Sequence, residues 1–104
     1  MVKEINAEEF KALLDSKKKF VCDFFATWCG PCRMLAPVME KVSVKHPDIT
    51  FVKVDVDKNM ELAAEYGIMS IPLVMAFDNG ADVNKTLGFM PEDEAEEFIA
   101  DSGF

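Results

Sequence analysis

The sequence predicts an α/β protein: a central mixed β-sheet with helices on both faces. Three observations lead there. Short apolar runs at 20–25, 49–56 and 72–78 alternate with segments of helical periodicity, which implies parallel strands joined through crossover helices. Asn79-Gly80 stands between two strand-like runs, a strong hairpin signal that adds an antiparallel pair. The chain has 104 residues, enough for one compact domain and too few for two, so a single domain over 1–104 is expected.

Each element has its own local reason. A short first strand is expected at Val2–Ile5. Asn6 followed by Glu9 reads as a capping box, and Phe10, Leu13 and Leu14 form an apolar stripe at helical spacing. The basic turn Lys17–Lys19 leads into the strand-type run Phe20–Phe25. Leu35, Val38, Met39 and Val42 then repeat at i, i+3, i+4 and i+7, which predicts a second helix that Pro37 should kink. His46-Pro47-Asp48 reads as a turn with His46 on the surface, and the β-branched run at 49–56 follows as a strand. A short helix across Glu61–Tyr66 should stop at Gly67, which suits a C-terminal cap. The runs 72–78 and 82–88 form the two arms of the hairpin. Pro91 opens a last helix, where Glu92, Asp93 and Glu94 suit the positive N-terminal end and Phe98 and Ile99 face the core.

Composition narrows the function. Half of the residues are hydrophobic and 29% are charged, as in an ordinary folded domain. The formal net charge of -8 repels phosphate backbones and anionic lipid, so neither nucleic acid nor a membrane is expected as a partner. No apolar run approaches the roughly 20 residues that span a bilayer. The first residues lack the apolar segment of a signal peptide, so a cytoplasmic, monomeric protein that meets other proteins is expected. Three cysteines, an odd number, disfavour a structural disulfide framework and agree with a reducing compartment.

The chemistry concentrates in Phe20–Cys32, FVCDFFATWCGPC. Residues at i and i+3 of a helix lie roughly 5–6 Å apart, inside the roughly 4.4–6.8 Å between Cα atoms that a disulfide allows. Cys29 and Cys32 can therefore close and reopen without moving the fold. Pro31 suits a first helical turn, which puts Cys29 at a helix N-terminus, where free N–H groups and the dipole stabilise a thiolate. The same spacing is also half of a zinc site, for which only Cys22 and His46 remain as ligands; with no second CxxC, no metal is expected. Cys22 alternates with Asp23 along its strand and reads as a buried, inert thiol. Asp23, among apolar neighbours, should be desolvated with a raised pKa, unless its strand turns it to the surface. By residue type alone, Trp28 reads as a core aromatic.

The segment ATWCGPCRMLAP resembles the active site of the thioredoxin family. The resemblance covers essentially the whole chain: the Asp23 strand, WCGPC at 28–32, Pro37, KVDVD at 53–57, Ser70-Ile71-Pro72, the hairpin and Gly88. It implies the thioredoxin fold and a dithiol–disulfide oxidoreductase that reduces disulfide-containing proteins, an electron carrier in cell redox homeostasis. Cys29 would be the nucleophile and Cys32 the resolving thiol, with Asp23, near Lys53, as proton acceptor for Cys32. A separate thioredoxin reductase would restore the dithiol, and no cofactor is expected on this chain. Trp28, Gly30, Pro31, Ile71, Pro72 and Gly88 would form the partner-docking surface, completed by Phe89 and Met90. Base frequencies favour a trans Ile71–Pro72 bond, whereas the resemblance implies cis. Met34, Met69, Met75 and Met90 fit either an adaptable surface or the core, and Met39 and Met75 are read as core. Phe25, Leu73, Cys22 and Arg33 depart from common family residues without removing a catalytic group. The rival reading is a binding module of the same fold, or a subunit, whose thiols do not turn over.

Overall fold

In the computed structural model, which describes residues 1–104, a short strand β1 (Val2–Glu4) precedes helix α1 (Ala7–Ser16). The start of α1 is fixed by a reciprocal pair: the Asn6 side chain accepts the N–H of Glu9, and the Glu9 carboxylate accepts the N–H of Asn6. Strand β2 (Phe20–Phe25), helix α2 (Gly30–Lys45), strand β3 (Thr50–Asp55) and helix α3 (Met60–Glu65) follow. The hairpin β4 (Leu73–Asp78) and β5 (Ala81–Leu87) leads to helix α4 (Glu92–Asp101). Asn79 and Gly80 both take positive φ, 56° and 82°, as a two-residue hairpin turn of the favoured twist requires.

The five strands lie in the order β1-β3-β2-β4-β5. β1, β3 and β2 are parallel, and the pairs β2–β4 and β4–β5 are antiparallel, so the sheet is mixed as predicted. Alternation along β2 divides the interior. Val21 packs with Leu35, Met39 and Val42 of α2 and with Phe98 and Ile99 of α4. Phe20, Cys22 and Phe24 point the other way, towards Phe10 of α1 and Leu62 of α3.

Several boundaries differ by a residue or two from the sequence expectation. α3 begins at Met60 and is capped by Tyr66, with Gly67 beyond it at φ 63°. Pro72 lies just outside β4, and Pro91 is the N-cap of α4 instead of its first helical residue. α2 continues through Pro37 to Lys45. His46 is not a free surface residue: it is half-buried, and its Nε2 lies 2.6 Å from Oε1 of Glu96, joining the end of α2 to α4.

Candidate active site

The site forms where β2, the middle strand, ends and α2 begins. Cys29 is the N-cap of α2, in extended conformation, and its Sγ accepts the N–H of Cys32 at 3.2 Å. Pro31 occupies the first turn, where an absent N–H leaves no partner wanting. Cys29 and Cys32 are joined as a disulfide with their Cα atoms 5.2 Å apart, within the span expected for i and i+3. Both are nearly buried, and Cys29 is only 5% exposed. A partner sulfur therefore has one narrow approach.

That approach has two walls. Trp28 is 68% exposed, so the core reading of this residue is wrong; its indole Nε1–H donates to Oδ2 of Asp57 at 2.8 Å, which holds the ring beside Cys29. The other wall is Ile71, whose carbonyl oxygen lies 3.9 Å from Cys29 Sγ. The Ile71–Pro72 peptide bond is cis. Gly88, at φ 97°, donates its N–H to the Pro72 carbonyl at 2.8 Å and so ties the end of β5 to this loop. Gly30 faces open space: a Cβ built there would meet nothing within 4 Å.

Behind the disulfide, Asp23, Cys32 and Lys53 line one cavity of about 230 Å³, together with Phe25, Ala26 and Arg33. Asp23 is 3% exposed and its Oδ1 has no hydrogen-bond partner. Burial pushes its pKa from 3.8 up to about 7, and the positive charge of Lys53 opposes that rise only in part. Although Asp23 and Lys53 are register partners across β2 and β3, no close ion pair joins them. The Lys53 ammonium sits instead 5.4 Å above the Phe25 ring. A buried carboxyl that titrates near neutrality is suited to exchange a proton with a neighbouring thiol.

The remaining candidates separate cleanly. Cys22 is fully buried in the aromatic cluster on the opposite face, where burial and the adjacent Asp23 raise its pKa well above 9.0. His46 stands at the far end of α2, a helix of 16 residues or about 24 Å. Neither can complete a tetrahedral metal site with Cys29 and Cys32. Met39, Met75 and Met90 are buried, so Met90 belongs to the core beneath α4 and not to a docking surface, whereas Met34 and Met69 are exposed. Asp57 was missed by sequence reasoning. It stands 29 residues from Trp28, and only the folded chain joins them.

The family model Thioredoxin matches residues 1–101. The thioredoxin of Mycoplasmoides gallisepticum is 47% identical over 94 residues, covering 90% of this chain and 94% of that protein. The thioredoxin of Alicyclobacillus acidocaldarius is 41% identical over 93 residues, covering 88% and 89%. Among solved structures, Plasmodium falciparum thioredoxin superposes with a TM-score of 0.89 at 33% identity, over 95% of this chain and 97% of that one. Fasciola hepatica thioredoxin gives a TM-score of 0.87 at 34% identity, with the same two coverages of 95% and 97%.

Proposed function

From the premise that the chain belongs to the thioredoxin family and is a dithiol–disulfide reductase, we propose the roles of its site residues. In the reduced form, the Cys29 thiolate attacks one sulfur of a partner disulfide. A Cys29–partner bond forms, the partner's S–S bond breaks, and the released partner sulfur leaves as a thiolate that takes a proton. Cys32 then loses its proton to Asp23 and attacks Cys29 Sγ, which frees the second partner thiol and closes Cys29–Cys32. Two electrons pass to the partner and the chain is left as a disulfide. A separate reductase must return them.

The observation that best supports this reading is the convergence of a helix-capping Cys29 with a buried Asp23 that shares a cavity with Cys32. Lys53 tempers the cost of the Asp23 charge, so that the carboxyl can both accept and return a proton near neutral pH. Trp28, Gly30, Pro31, Ile71, Pro72 and Gly88 form the docking rim in this proposal. Ile71 carries the main contact, because no backbone group of the chain accepts its N–H and an extended partner strand can pair there. The net charge of -8 supports protein partners over nucleic acid or anionic lipid, and no helix is long and apolar enough to cross a membrane.

Two substitutions test the assignment. Cys29→Ser should abolish reduction of a protein disulfide such as that of insulin. Cys32→Ser should still attack, and should accumulate mixed disulfides with partners that mass spectrometry detects. Trapping by the Cys29 variant and not by the Cys32 variant would reverse the two roles. A wild type that binds partner proteins and reduces none of their disulfides would return the chain to the binding-module reading.

A further inference from the structure

The largest groove of the molecule, about 410 Å³, lies beside the disulfide and not over it. It runs between the loop after α3 and the end of the hairpin, on the face of the sheet that α1 and α3 cover elsewhere. Tyr66, Ile68, Met69, Leu73 and Leu87 line it, and Lys85 is its only charged residue. Met69 is 95% exposed and Leu87 61%, an unusual outlay of apolar surface for a chain with a net charge of -8.

This groove is continuous with the reaction site at two points. Met69 and Leu73 are each two residues from Ile71, at most about 7 Å along the backbone, and Ile71 is the residue whose carbonyl faces Cys29 Sγ. Leu87 pairs with Leu73 across the hairpin, and its neighbour Gly88 is bonded to Pro72. Because Cys29 is nearly buried, a partner disulfide must bring its own backbone down against Ile71 to reach the sulfur. The residues flanking the partner's cysteine then pass the mouth of the groove.

We propose that this groove is a specificity subsite that takes a bulky apolar side chain within about three residues of the partner's target cysteine, a span of about 10 Å. Met69 and Leu87 form its gripping rim, and the flexible thioether of Met69 lets one groove accept leucine-, phenylalanine- or methionine-sized side chains. The proposal rests on the reductase reading, since it names which disulfide partners that reaction prefers.

Its test uses two disulfide-bonded peptides that differ only in the flanking residue, leucine or serine, and a small aromatic disulfide that cannot reach the groove. The wild type should reduce the leucine peptide with a kcat/KM about tenfold above the serine peptide, a preference of the size hydrophobic pockets give. Met69→Glu, at a fully exposed position, should erase that preference mainly through KM. Met69→Leu should keep it, and Leu87→Gln should weaken it independently. All variants should reduce the small disulfide at the wild-type rate. Equal kcat/KM for the two peptides in the wild type, or a preference that survives Met69→Glu, overturns the subsite. A wild type that reduces none of the three overturns instead the reductase reading itself. Sedimentation of the wild type as a dimer, with Met69→Glu a monomer, would assign the groove to a second copy of the chain.

Discussion

Asp23 carries the clearest conflict at the scale of single residues. A carboxyl that is 3% exposed and has no hydrogen-bond partner for Oδ1 keeps its proton up to about pH 7, while in the unfolded chain it loses it near 3.8. Between those values the folded state binds more protons, so stability falls as pH rises from 3.8 through about 7. The whole window is worth on the order of 4 kcal/mol. Asp23→Asn keeps the shape and cannot ionise. It should match the wild type near pH 4 and exceed it by about 2–4 kcal/mol above pH 8, measured by denaturant unfolding at both pH values. The same variant should resolve the mixed disulfide more slowly, because it removes the proposed proton acceptor of Cys32. A variant no more stable at pH 8 would mean that Lys53 fully compensates the burial. Trp28 and Asp57 show the opposite case, a surface aromatic whose position depends on a single charge-assisted hydrogen bond.

Elements are held by their ends. α1 is fixed by its capping box, α2 by a cysteine that doubles as cap and reactive group, and the hairpin by Asn79-Gly80. The turn is the simplest to test. Gly80 sits at φ 82°, where an L side chain is strained, although a Cβ there would make only ordinary contacts, 3.4 Å to Leu14 O and 3.5 Å to Lys17 Nζ. Gly80→Ala should therefore cost about 1–2 kcal/mol from backbone strain alone, read from the denaturation midpoint with an unchanged slope. Because β4 also pairs with β2, the loss should appear as global destabilisation and leave the Cys29 chemistry intact. Loss of disulfide reduction at full stability would contradict that separation.

The whole molecule is two apolar layers divided by the sheet, and the aromatic layer has one centre. Phe10 is fully buried, and its ring centroid lies 5.3–5.9 Å from those of Phe20, Phe24, Tyr66 and Phe77. These rings come from α1, β2, the end of α3 and β4, so one side chain joins segments far apart in sequence. Phe10→Ala should cost about 3–5 kcal/mol, against a total of about 5–15 kcal/mol for a domain of this kind. Thermal unfolding should show one cooperative transition at a much lower midpoint. Two separate transitions would show that the layers unfold independently.

Element identity and the reactive pair were determined by the sequence itself, because both depend on neighbours within about four residues. Alternation in Phe20–Phe25, helical periodicity from Leu35 to Val42, Asn79-Gly80 and the Cys29–Cys32 spacing are local patterns with local causes. The inward Asp23 and inert Cys22 were also legible, since alternation on an apolar strand assigns each a face. The tertiary structure decided whatever depends on residues brought together from afar. Trp28 could be core or surface until Asp57 met its indole, and His46 was a turn residue until α4 supplied Glu96. Lys53 stands opposite Asp23 as expected, and only the fold shows that its ammonium lies over the Phe25 ring instead of closing an ion pair. Met90 entered the core while Met69 stayed outside, though both are methionines in loops near the site. The physical reason is common to all of these: burial and pairing belong to the assembled surface, and a side chain's own chemistry does not specify which distant atoms will cover it.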